Sequence, residues 1–138
     1  MRQFVDNPPE INGIRVVQDG IEIYKALITG ETVYHWEFGN SMFPILMNGE
    51  YCKIRPIMDP HEVNVGDAVF CSFQGKYFMV HRCVDKIERD GIIWFKIATT
   101  GDTVYGWTHE VFGIAESTNI FQNGEPVSEE ETEEKEDD

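Results

Sequence analysis

The chain has 138 residues and 41% hydrophobic residues, enough for one domain around one hydrophobic core. Its 25 acidic and 11 basic residues give a net charge of −14; residues 129–138 hold eight of the acids and one lysine, so the body keeps 17 acids against 10 bases. An acidic body in which Lys53, Arg55 and Lys76 stand apart excludes a duplex-binding module, and no run of 18 apolar residues exists to anchor the chain in a membrane.

Residues 1–13 are polar, with Pro8-Pro9 and Asn12-Gly13, and are expected to form an irregular lead-in without the apolar run of a secretory leader. Between Ile21 and Ile28, the apolar positions Ile21, Tyr24, Leu27 and Ile28 recur at helical spacing, predicting one short helix ended by Gly30. A strand starting back at Ile14 is the alternative. After Gly30 the pattern alternates: Tyr34, Trp36 and Phe38 face one way and Val33, His35 and Glu37 the other, a half-buried strand.

Further strands are predicted at Tyr51–Arg55, Ala68–Phe73, Tyr77–Asp85, Ile92–Ile97 and Val111–Phe121. Gln74-Gly75-Lys76 and Arg89-Asp90-Gly91 have the length and composition of hairpin turns. Short strands at regular spacing predict a mainly-β, antiparallel fold with one short N-terminal helix. The predicted domain is 14–121, with its core at about 32–116. Residues 122–138 lose their apolar content and read as an acidic, disordered tail.

Cys52, Cys71 and Cys83 are odd in number and form no CxxC pair, which predicts reduced, buried thiols and a cytoplasmic setting. His35, His61, His81 and His109 have no metal-ligand spacing, and nothing in the chain calls for a cofactor.

Four short segments carry chemistry: Gly39-Asn40-Ser41-Met42-Phe43-Pro44, Gly66-Asp67-Ala68-Val69, Val80-His81-Arg82 and Thr100-Gly101-Asp102. In this order and spacing, from about Thr32 to Glu116, they resemble the serine peptidases of the signal-peptidase and SOS-repressor superfamily. GNSMFPILMNGE resembles the nucleophile segment, NVGDAVFCSF the Gly-Asp strand and YFMVHRCVDKI the strand that carries the general base. FKIATTGDT resembles the Thr-Lys-Gly-Asp box, with Thr100 where the lysine usually stands. The Val-His-Arg context is similar to the histidine-type branch, that of endoplasmic-reticulum and archaeal signal peptidases. The comparable members are small and soluble, phage or bacterial.

The resemblance implies antiparallel twisted sheets and a serine endopeptidase acting on an extended peptide. Ser41 is then the nucleophile and His81 its base, since a histidine is already mostly neutral at physiological pH. Asp102 is the implied third member; Glu110 and a Ser–His dyad without an acid are the alternatives. Gly39, Asn40, Met42 and Phe43 are the expected oxyanion and substrate contacts, with the substrate adding as a strand beside residues 33–38. A peptidase-fold binding module that lacks activity is a competing expectation. A self-cleaving repressor is disfavoured because the chain contains no Ala-Gly or Cys-Gly. A Cys83 thiol enzyme is disfavoured because same-face strand neighbours lie about 7 Å apart.

Overall fold

The computed structural model describes residues 2–101 and 103–122. It is mainly β, with one short helix. The strands are β1 (Gln3–Val5), β2 (Glu10–Ile11), β3 (Ile14–Arg15), β4 (Val33–Trp36), β5 (Tyr51–Pro56), β6 (Ala68–Cys71), β7 (Met79–Arg89), β8 (Ile92–Ala98), β9 (Val104–Thr108), β10 (Val111–Glu116) and β11 (Ile120–Gln122). Seven of them form one antiparallel sheet in the order β4-β5-β10-β6-β7-β8-β9. β1 pairs with β11 in parallel, and β2 pairs with β3 as a hairpin.

The helix α1 (Gly20–Ile28) starts where Asp19 accepts hydrogen bonds from the N–H groups of Ile21 and Glu22, at 2.8 and 3.3 Å. It ends as predicted at Gly30, whose N–H bonds to Leu27 O while that of Glu31 reaches back to Ala26 O. The buried face differs from the predicted one. Ile23, Ala26 and Leu27 face the core while Ile21 and Ile28 are exposed, because the i, i+3, i+4 stripe is the one that meets the sheet. α1 lies so close to β10 that a Cβ on Gly113 would sit 2.7 Å from Arg55 O and 3.1 Å from Leu27 Cδ1. Glycine permits that approach.

Three strand expectations need correction. The lead-in is not irregular: β1 and β2 lie within residues 1–13, because tertiary pairing with β11 and β3 supplies the hydrogen bonds that local propensity does not. The segment 111–121 is two strands, split at residues 117–119, where the chain turns around the carboxylate of Glu50. β4 is buried on both faces at Val33 and Tyr34, since β2, β3, β5 and β11 contribute a small apolar cluster of Ile11, Tyr51 and Ile120 around Tyr34. Gln122, assigned above to the tail, belongs to β11 and accepts a hydrogen bond from the Tyr51 hydroxyl. The rest of the predicted tail, and Asp102, lie outside the described residues.

Two apolar clusters fill the body. One joins α1 to β4–β6 and includes Val33, Met42, Leu46, Cys52 and Phe70; the other lies between β6, β7, β8 and β10 around Val69, Phe95 and Ile97. All three cysteines are free and buried, as predicted. No helix among the described residues is long and apolar enough to cross a membrane.

Candidate active site

Ser41 lies in the connection between β4 and β5. The stem of this loop is closed by two backbone hydrogen bonds, Glu37 N–H to Glu50 O and Gly49 N–H to Glu37 O, both 2.8 Å. Asn48 Oδ1 then accepts from Gly39 N–H at 2.9 Å. Gly39 has φ 99°, a region that side-chain-bearing residues avoid. Met42 and Leu46, each 1% exposed, enter the first cluster and pin the loop from inside. Ser41, Phe43 and Pro44 are left at the surface.

The side chain of Met42 is therefore core rather than substrate contact, because an apolar side chain facing the sheet buries there. Phe43 remains exposed. Of the backbone groups expected to bind an oxyanion, Gly39 N–H is taken by Asn48 and Phe43 N–H by Asn40 O at 3.1 Å. Among the described residues the N–H groups of Ser41 and Met42 have no partner.

The outer side of this loop docks on the β8–β9 connection. Thr100 donates from N–H and from Oγ1 to Ser41 O, each at 3.1 Å, and from Oγ1 to Phe43 O at 2.6 Å. The preceding residue, Thr99, closes its own turn by accepting from the N–H groups of Gly101 and Thr103 at its Oγ1, both 3.2 Å. Its carbonyl accepts from Arg82 Nη2 at 3.5 Å. Arg82 lies on β7 beside His81. The serine loop and the histidine strand thus meet through Thr100, Thr99 and Arg82. Sequence reasoning noted Thr100 only as a departure from a lysine; its hydroxyl is what ties the loop in place.

His81 pairs with Val69 across β6 and β7, and its ring stacks on Tyr105 of β9 at 4.7 Å and 21°. Its Nδ1 is buried and has no hydrogen-bond partner among the described residues. Burial holds the imidazole below its ordinary 6.5, toward the neutral form. No hydrogen bond among the described residues joins Ser41 to His81. Glu110, one of the candidate third acids, accepts from Ser72 Oγ at 2.6 Å and Gly75 N–H at 2.7 Å, fixing the β6–β7 turn. The Ser72 bond leads in holding its carboxyl below the usual carboxylate value. It is a structural acid and is not bonded to His81.

The edge of β4 is not open to a substrate strand as expected. Val16 bridges Tyr34 in parallel, Val17 N–H bonds to Tyr34 O at 2.8 Å, and Gln18 exchanges two bonds with the backbone of Trp36. The chain covers its own edge with residues 16–18, which satisfies backbone groups that would otherwise invite pairing.

Two buried carboxyls at the loop stem went unread in the sequence. Glu50, 1% exposed, accepts from Met47 N–H and, through its other oxygen, from Ser117 Oγ and the N–H groups of Thr118 and Asn119. Glu37 faces His35 Nε2 at 3.7 Å, and burial, with the Glu50 charge second, pushes its carboxyl up to about 7. The available signal was position: the two glutamates flank Gly39 and Gly49 at either end of the serine segment.

The thiols of Cys71 and Cys83 are pushed up by burial to about 12 and about 11, so neither is an activated nucleophile at neutral pH. Compared with known proteins, the chain matches no family model, no curated protein and no solved structure.

Proposed function

We propose that this protein is a serine endopeptidase in which His81 deprotonates Ser41 for attack on a peptide carbonyl of an extended substrate. The observation that carries the reading is the docking of an exposed, internally pinned Ser41 loop, through Thr100, onto the turn held by His81's neighbour Arg82. His81 is kept toward the neutral form by burial, as a general base near pH 7 requires. The unpartnered N–H groups of Ser41 and Met42 supply an oxyanion pair. The imidazolium gives its proton to the leaving amine as the acyl-Ser41 ester forms. In the second half, water deprotonated by the same ring hydrolyses that ester, and the ring returns the proton to Ser41 Oγ as the carboxylic product leaves. Orientation of His81 falls to Asp102 or to the Tyr105 stack alone.

A non-catalytic binding module is the second reading, favoured by the lack of a Ser41–His81 hydrogen bond among the described residues. A digest of a complex peptide mixture, read by mass spectrometry, separates the two. New termini that appear with the wild type and vanish in Ser41→Ala support the peptidase; identical digests from pH 6 to 9 support the module.

A further inference from the structure

Beyond the catalytic pair, the sheet's other edge offers something that the covered β4 edge does not. β9 is the last strand of the seven-stranded sheet, with no strand on its outer side among the described residues. Its five residues carry no charge and no proline, the usual means of closing an edge to pairing. Val104, Tyr105 and Trp107 are all exposed. Alongside, the β6–β7 turn approaches closely enough that a Cβ on Gly106 would touch the Phe73 ring at 3.8 Å. Between turn and strand lies a groove of about 420 Å³ lined by Phe73, Gln74, Tyr77, Met79 and Tyr105.

None of these five side chains carries a charge at neutral pH. Tyr77 is 62% exposed and Tyr105 46%, so the walls are aromatic faces standing in solvent. The turn that bears Phe73 and Tyr77 is held by Glu110 through Ser72 and Gly75, so the wall is built and not incidental. Tyr105 is shared: one ring lines the groove and stacks on His81. The groove is thereby continuous with the candidate active site.

We propose that this groove is the specificity subsite for a large apolar side chain of an extended peptide, whose backbone pairs with the free edge of β9. An unpaired strand edge recognises backbone, and an adjacent apolar pocket reads one side chain. The size of the groove suits one such side chain and its neighbours. The choice of a peptide as occupant rests on the peptidase reading, through the contact of Tyr105 with His81.

The test uses the full-length Ser41→Ala protein, so that binding is read without cleavage. The probes are immobilised 12-residue peptides of Ala, Ser, Thr and Gly with one guest position occupied by Phe, Leu, Met, Ala or Asp. The expected result is binding about tenfold or more tighter for Phe, Leu and Met than for Ala or Asp. Tyr77→Ser, an exposed position, should cut that preference to about threefold or less, while Tyr77→Phe keeps it. Hydrogen exchange with the best Phe peptide in solution should slow at the amides of residues 104–107. Guest-independent binding, no binding, or slowed exchange elsewhere overturns the proposal. So does a dimer by sedimentation with those amides already protected, which makes a second copy the occupant. Groove-dependent binding without wild-type cleavage keeps this subsite and removes the peptidase reading. Ser41-dependent cleavage indifferent to Tyr77→Ser does the reverse.

Discussion

At one edge of the seven-stranded sheet, β4 is covered by residues 16–18 and leads into a loop pinned by Met42 and Leu46. At the other, β9 has no strand on its outer side among the described residues, is uncharged and aromatic, and touches His81 through Tyr105. The covered edge presents Ser41 on a pinned loop; the other edge flanks His81, the base of the proposed reaction. The difference teaches that edge protection here is selective. The chain spends residues 16–18 closing the side that carries the buried stem carboxyls, whereas no strand among the described residues closes the side with the apolar groove.

The largest expected effect falls where the two sides meet. If the peptidase reading holds, Ser41→Ala and His81→Ala each lower kcat/KM by about 10³-fold or more, and the double variant is little worse than either, because the two act as one unit. Additive losses in a fluorogenic-peptide assay would break the pairing. Next, Val17→Asp places a carboxylate in the buried seam over β4 and should cost about 3 kcal/mol in urea unfolding.

Glu37 gives a pH signature to the covered side. Its carboxyl is near 7 when folded, against an ordinary 4.5. Between those values the unfolded chain releases a proton that the folded protein keeps, so stability falls as pH rises through the window and levels off above about 7. The fall is up to about 3 kcal/mol. Glu37→Gln removes it: unfolding free energy measured from pH 4.5 to 8 should lose that decline, giving a variant relatively more stable at pH 8.

On the open side, His81 is held below 6.5 by burial. The low-pH limb of kcat/KM should then have its midpoint below 6.5 and be flat by pH 8; a midpoint above 7 would count against a half-buried base. Smallest of all, Val104→Lys on exposed β9 should change stability by no more than about 0.5 kcal/mol. A cost comparable to that of Val17→Asp would mean that β9 is covered after all.

Much of the fold was legible because its signals are local. Alternation marked β4, the turn residues at 74–76 and 89–91 set off β6, β7 and β8, Gly30 stopped α1, and Asp90-Gly91, with φ 54° and 78°, closes the β7–β8 hairpin as its composition required. β9 was missed because Val104-Tyr105-Gly106-Trp107-Thr108 has no apolar–polar alternation; its partner β8 makes it a strand. β1 was missed for the same reason, with β11 as partner. In the site, Ser41 and His81 could be singled out from short segments, whereas the tasks of Thr100, Glu110, Glu37 and Glu50 could not. Thr100, Glu110 and Glu50 act on residues tens of positions away, and Glu37 is raised by burial; neither a distant partner nor burial by distant segments leaves a mark on local pattern.

By itself, then, the sequence determined the mainly-β class, the short helix, the buried thiols and the segments worth examining, since backbone propensity, periodicity and turn chemistry are properties of neighbours. Only the tertiary structure decided which edge is closed and which open, that Met42 is core, that Glu110 serves a turn, and that Glu37 is driven toward neutrality. Burial and long-range hydrogen bonding set those outcomes, and both exist only once distant segments have packed together.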